Sequence, residues 1–214
     1  VFAVLDLGIL AYTWFLIAKR FGITLGVRQD LRVFFLSNFA KRVPGIVWYI
    51  AGRAYMYRDK QAGSWLATTG VLVENVYLFI SGLWIALLLW PQATDNQFAW
   101  APVVLILVVL IILIAVYPTI FVDLILRLRG KKKTKLTREL VNQLSLKVVL
   151  SWLSLYVVVW IIGGFCFYFF VKAFVPDLTS MHIPYVIGTS TVYSLSGFVA
   201  FFVPAGMGVK EMTG

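Results

Sequence analysis

Between Lys147 and Lys172 the chain holds no Asp, Glu, Lys or Arg. An apolar run of that length reaches the ~20 residues an α-helix needs to cross ~30 Å of hydrocarbon. It has company. Residues 1–18, 66–90 and 100–126 are similarly apolar, each with a single charged residue: Asp6, Glu74 and Asp123. Within lipid every backbone N–H and C=O must find a partner inside the protein, which leaves helices or closed barrels. The runs are continuously apolar rather than alternating, so they predict helices. The expected fold class is all-α, a polytopic transmembrane helix bundle in which residues 1–214 form a single membrane domain. Only 13% of residues are charged, against ~25% in ordinary soluble domains, so no soluble domain of any size is expected.

The net charge of +10 raises nucleic acid as a partner, and its distribution argues against that. Nine of the 19 Lys and Arg lie at positions 19–60 and eight at 127–147. Positive charge gathered in two short segments is the pattern of cytoplasmic loops in a multi-pass protein of the cell membrane. The second group, including Lys131, Lys132 and Lys133, also attracts anionic lipid at about 1 kcal/mol per charge. Partners are therefore expected among membrane lipids and not nucleic acids.

Reading along the chain gives the topology. Residues 1–18 form a first span, closed on the inside by Lys19 and Arg20. Residues 66–90 form a span bracketed by Trp65 and Trp90. The short loop 91–99 carries Asp95 and no positive charge, so it lies outside. Residues 100–126 return, 148–174 cross outward again, and 175–184 form an outer loop. Two further apolar segments are broken. In 31–57 the interruptions are Lys41-Arg42 and Pro44-Gly45, with Gly52 beyond; in 183–209 they are Pro204, Gly206 and Gly208. Proline removes a backbone donor and clashes with the preceding turn. Backbone freed at membrane depth is tolerated only where protein or a water-filled cavity satisfies it. The broken segments, whether they cross or re-enter, therefore point toward a site. Each follows a conventional span, and those two spans run in opposite directions. That is the arrangement of an inverted repeat with a transport site near the midplane; the alternative is coincidence between two short Val-Pro strings.

Charged residues within the apolar segments are the best local evidence. Glu74 lies near the middle of its span, too deep to reach water by extending its side chain. An intramembrane carboxylate of this kind reads as functional by default, with a structural ion pair as the alternative. Gly70, Tyr77 and Ser81 share its helix face. Arg53 follows the first break, and its planar fork suits a phosphate or a carboxylate. Glu74 is one available partner for it and a lipid phosphate is the other. Lys41 and Arg42 either serve the site or touch headgroups at the interface. Thr189, Ser190, Thr191, Ser194 and Ser196 either bond back to their own helix or, with Gly197, Gly206 and Gly208, line a polar surface for an anionic headgroup. Lys210 and Glu211 follow directly and either pair within the bundle or contact substrate. Cys166, the single cysteine, reads as packing, and His182 as an incidental surface residue. No metal-ligand spacing, nucleophile motif or nucleotide fingerprint occurs, so no catalytic residue, metal or cofactor is expected.

Three strings resemble signatures of the lysylphosphatidylglycerol synthase transmembrane family, the flippase-like membrane domains. Lys41-Arg42-Val43-Pro44-Gly45-Ile46-Val47-Trp48 followed by Gly52-Arg53-Ala54 is similar to that family's Tyr-(Ile/Val/Leu)-Pro-Gly…Trp…Gly-Arg stretch, with Arg42 where an aromatic is usual. Leu72-Val73-Glu74-Asn75 resembles its Val-Glu-Arg, with Asn75 in place of Arg. Gly197 to Glu211 is similar to its Pro-Gly-Gly-Leu-Gly-Val-Arg-Glu, with Ala205 for Gly and Lys210 for Arg. The resemblance implies a domain of about eight membrane segments, of which this chain is a fragment. It also implies lipid handling: a translocase moving an anionic or aminoacylated phospholipid, or a polyprenyl-linked lipid, between leaflets. A partner enzyme or soluble transferase domain is implied beside it. Substrate contacts are then expected at Arg53, Glu74, Lys210, Glu211 and Arg42. The alternatives are a membrane-embedded glycosyl or headgroup transferase, for which the carboxylates Asp123 and Glu74 are scattered, or a membrane scaffold for such an enzyme.

Overall fold

The computed structural model describes residues 1–40, 47–60, 63–89 and 145–202. These form six α-helices: α1 (Phe2–Arg20), α2 (Val27–Phe39), α3 (Val47–Met56), α4 (Gly63–Leu89), α5 (Leu146–Phe174) and α6 (Ile183–Phe202). A 3-10 turn, Ser180–His182, directly precedes α6. No strand occurs among the described residues. The all-α class is therefore as expected. Helices α1, α4 and α5 are each long and apolar enough to cross a membrane, and they coincide with three of the four expected spans. Many of their large apolar side chains point outward, among them Val4, Leu88, Leu150 and Phe170. Water would not favour such a surface, whereas lipid would. The remaining expected span (100–126), the loops around it and the second Pro/Gly break (204–208) lie outside the described residues.

The described residues fall into two compact units. One holds residues 8–40, 47–60, 63–76 and 145–152; the other holds 1–7, 77–89 and 153–202.

In the first unit α1 ends where its sequence says it should. Lys19 and Arg20 fill the last turn, where cations complement the helix dipole. Gly22 then adopts φ 68°, and its N–H bonds to Lys19 O (3.2 Å) while Ile23 N–H bonds to Ala18 O (3.0 Å). This paired closure needs a left-handed residue, which glycine supplies without strain.

The segment 31–57, read as one interrupted apolar stretch within a basic loop region, is two helices. The first begins at Val27, earlier than expected. Its opening turn is polar (Arg28, Gln29, Asp30), so hydropathy alone conceals it. Asp30, Val33, Phe34 and Ser37 are buried at helical spacing along one face, and this face packs on α3. Across the pair, Arg53 meets Ser37 and Phe34, while Tyr57 meets Asp30. Partners that advance on one helix as they retreat on the other define an antiparallel hairpin. Gly52 was expected to be a break, and here the expectation fails. Helix α3 runs through it, since an isolated helical glycine costs only ~1 kcal/mol relative to alanine.

In the second unit the C-terminal half of α4 packs on α5 and α6 through a small residue. A Cβ added at Gly82 would lie 2.6 Å from Trp160 Cζ2 and 3.0 Å from Leu195 Cδ2. Trp160 Nε1–H donates to Leu78 O (2.9 Å) and Ser81 Oγ (3.1 Å), which fixes the indole over the glycine. Small residues at such contacts let membrane helices approach closely. Substituting Gly82→Val should therefore destabilise the fold by about 1–3 kcal/mol through overpacking. The check is a lower midpoint of thermal unfolding in detergent, with Gly163→Val as the control, because nothing lies within 4 Å of a Cβ there.

Candidate functional site, a buried arginine in an aromatic cage

Four helices of the first unit converge on Arg53. The side chain is fully buried (0% exposed), as is nearly all of Glu74 (4%). Arg53 Nη1 forms an ion pair and hydrogen bond with Glu74 Oε2 across α3 and α4. Its Nε–H donates to Ser37 Oγ of α2 (3.0 Å), and that hydroxyl donates onward to Phe34 O (2.9 Å). The guanidinium carbon lies 4.1 Å from the ring centroid of Trp14 in α1, 5.0 Å from Phe34 and 5.8 Å from Tyr49. Aromatic faces attract a cation, most strongly where water is excluded. Nη2 is buried and has no hydrogen-bond partner, so two N–H donors are aimed into the protein unused.

Trp14 also joins this cage to a second network. Its Nε1–H donates to Tyr57 Oη (3.0 Å), and Tyr57 donates to Asp30 Oδ1 (2.7 Å). Asp30, fully buried, further accepts Leu25 N–H (3.1 Å) and the Thr24 hydroxyl. Its carboxylate is thus held by neutral donors at the open end of the α2–α3 hairpin. Burial first, and the bond to Asp30 second, push the Tyr57 phenol further above its usual range, so it stays a proton donor at any physiological pH. On α4, Asn75 Nδ2 donates to Tyr49 Oη and to Val71 O (2.6 Å for the latter), which steadies the aromatic wall of the cage.

Of the residues expected at the site, Arg53 and Glu74 are brought together, as one of the two partnerships foreseen for Arg53. Gly70, Tyr77 and Ser81, expected on the helix face of Glu74, are all buried. Arg42, Pro44, Gly45, Pro204, Gly206, Gly208, Lys210 and Glu211 lie outside the described residues, as does Asp123. The hydroxyls of α6 mostly bond back to their own helix: Ser190 and Thr191 to Ile187 O, Ser194 to Ser190 O and Ser196 to Tyr193 O. Of the two alternatives expected for these hydroxyls, the bond back to their own helix is the one seen for those four. Thr189 Oγ1 alone is buried without a partner. His182 is exposed, with Nδ1 2.9 Å from the Thr179 hydroxyl. Among the described residues no group of three His, Cys, Asp or Glu could hold a metal ion.

Trp14, Asp30, Ser37, Tyr49 and Tyr57 were not singled out from sequence. Asp30 did carry a signal: an acidic residue shortly after Gly26, followed by apolar residues at i+3 and i+4, is a helix start. No family model matches the chain, nor does any curated protein or solved structure.

The energetics follow from burial. Removing one partner of a buried ion pair leaves an uncompensated charge and costs ~3–5 kcal/mol, whereas replacing both by apolar side chains is often neutral or better. Glu74→Leu alone should thus lower unfolding stability by several kcal/mol, and Arg53→Met with Glu74→Leu should largely restore it. Denaturant or thermal unfolding of both variants in detergent measures the difference. Tyr57→Phe strands Trp14 N–H and deprives Asp30 of a donor, and should cost about 1–3 kcal/mol in the same assay.

Proposed function

We propose that the protein is an integral membrane lipid translocase, moving a phospholipid or isoprenoid-linked lipid between leaflets. The observation that carries this reading is the Arg53–Glu74 pair with an unspent Nη2 group, set among helices apolar enough to span a bilayer. Such a pair can exchange partners. A headgroup phosphate entering beside Arg53 would take the donors on Nη2 and compete with Glu74 for Nη1, in the bidentate geometry a guanidinium favours. Glu74, so released, would face the cationic or hydroxylated part of the headgroup. Fixed charges in place of water lower the barrier to drawing a charged headgroup through hydrocarbon. The fold-back of α2 on α3 supports a re-entrant segment at this site, because a hairpin of two short helices lines a cavity without crossing the bilayer. The similarity of the three sequence strings to flippase-like domains points the same way. On this reading Arg42, Lys210 and Glu211 complete the headgroup site, and the basic segments 19–60 and 127–147 face the cytoplasm of the cell membrane.

The complete burial of both partners favours a second reading, in which the pair only locks α3 to α4 and the chain is a membrane scaffold. The two are separated by the apolar double substitution. Liposomes containing the protein, with labelled phosphatidylglycerol in one leaflet, report transbilayer movement. The translocase reading expects Arg53→Met with Glu74→Leu to fold as stably as the native pair and to slow movement at least tenfold. Native rates in the well-folded double variant would take the pair out of the transport site and leave it a lock between α3 and α4, and no movement with the native protein would establish the scaffold reading.

A further inference from the structure

We propose that the outward face of the α2–α3 hairpin docks on the phospholipids of a single leaflet, with their phosphates at Arg28 and Arg32 and their acyl tails at Phe35 and Phe39. This is the face opposite Ser37 and Phe34, so the inference does not rest on what Arg53 does and holds for the scaffold reading as well.

Arg28, Arg32, Phe35 and Phe39 stand at i, i+4, i+7 and i+11 of α2, which is one helix face, and all four are exposed. Charge and apolar surface are separated along that face rather than across it. Both cations lie in the first half of the helix and both rings in the second. Local electrostatics does not account for the cations. Arg28 sits in the first turn, where the dipole disfavours positive charge, and Arg32 is a like charge one turn further on. The carboxylate of α2, Asp30, is turned to the other face and held by Tyr57, Thr24 and Leu25 N–H.

Helix α3 repeats the order in reverse. Trp48 near its start is 60% exposed and Tyr55 near its end 64%. Exposed Arg58 and Lys60 follow, and the Arg58 guanidinium carbon lies 3.8 Å from the Tyr55 ring centroid. The hairpin thus has an aromatic end, with Phe39 and Trp48, and a cationic end. The cationic end is level with that of α1, because Tyr57 bonds to Trp14, five residues or ~8 Å along the axis from Lys19. Water suits the arginines and rejects Phe39, which is 67% exposed; hydrocarbon does the reverse. A headgroup boundary that crosses α2 between Arg32 and Phe35 suits both. From Arg32 to Phe39 is ~10 Å, within the ~15 Å of one leaflet. Helices α2 and α3 have 13 and 10 residues, both short of the ~20 needed to cross.

The test is a spin-label depth measurement on the full chain in liposomes of phosphatidylcholine and phosphatidylglycerol. Single cysteines replace Gln29, Leu36 or Phe39 in α2 and Trp48 or Tyr55 in α3, all exposed, after Cys166→Ser removes the native thiol. Each carries a nitroxide, whose collisions with dissolved oxygen and with a water-soluble nickel chelate report its depth. Depth should rise from Gln29 to Leu36 by up to ~10 Å and again to Phe39, and should fall from Trp48 to Tyr55. Arg28→Glu with Arg32→Glu, a change the helix dipole favours and α2 therefore tolerates, should lift the Leu36 label toward water by a helical turn, ~5 Å. Equal depths along α2, a Phe39 label in water, or spin–spin broadening there from a second copy would overturn the proposal. So would an unchanged Leu36 depth in the double variant.

Discussion

A guanidinium with no exposed surface is the most demanding object in this fold. An ion removed from water loses several kcal/mol of solvation even after the protein relaxes around it, and the loss is recovered only by close charge and hydrogen bonds. The first unit is organised to supply them. Glu74 comes from α4, Ser37 and Phe34 from α2, Tyr49 from α3 itself and Trp14 from α1. Each of these four helices must hold its position for the charge to be tolerated. Lysine would not serve in the same place. Its ammonium is compact and strongly hydrated, whereas the planar guanidinium lies on aromatic faces while its edges reach a carboxylate and a hydroxyl.

Trp14 extends that constraint to the open end of the hairpin. Its ring lies under Arg53 and its N–H holds Tyr57, which holds Asp30. A cation and an anion are therefore buried close together in the chain's fold and satisfied by different means, the first by an ion pair and rings, the second by neutral donors. The two sets of contacts also fix how α2 lies on α3. A slip of one helical turn would part Arg53 from Ser37 and Tyr57 from Asp30 together. Between helices in lipid, apolar side chains give little driving force, since the tails outside are equally apolar. Register then has to come from polar contacts and from shape, and in this hairpin it comes from both.

These features differ in how far the sequence discloses them. The spans are legible because bilayer thickness sets a length that composition must meet, and α1, α4 and α5 meet it. Glu74 is legible because a carboxylate is conspicuous in an apolar run. Arg53 as its partner is legible as one alternative, since the cation on the neighbouring segment has few carboxylates to choose from. Asp30 is hidden among Arg28, Arg32 and Gln29, where charge reads as exposed loop, and one of the donors that hold it, Tyr57, is 27 residues away. Trp14 is one tryptophan among eight, and its two roles depend on contacts at long sequence separation. Gly52 misleads because glycine marks a break only where the backbone needs its freedom, and a helix running through open space does not. The α6 hydroxyls could line a site or serve their own helix, and back-bonding is available to them at no cost in packing.

What the pair is for bears on why it persists. Buried ion pairs are weak evidence for stability, because apolar side chains of similar volume often hold a fold as well. A pair kept for registry alone would be expected to spend its donors, as Trp160 does in the second unit by bonding both Leu78 O and Ser81 Oγ. Arg53 does not. It holds Nη2 idle at zero exposure, and a buried donor left unmade carries a penalty of its own. A second hydroxyl or carbonyl nearby would remove that penalty. On the translocase reading the idle edge of the guanidinium is where an anionic headgroup oxygen would bind, and on the scaffold reading it is a standing cost of holding α3 to α4.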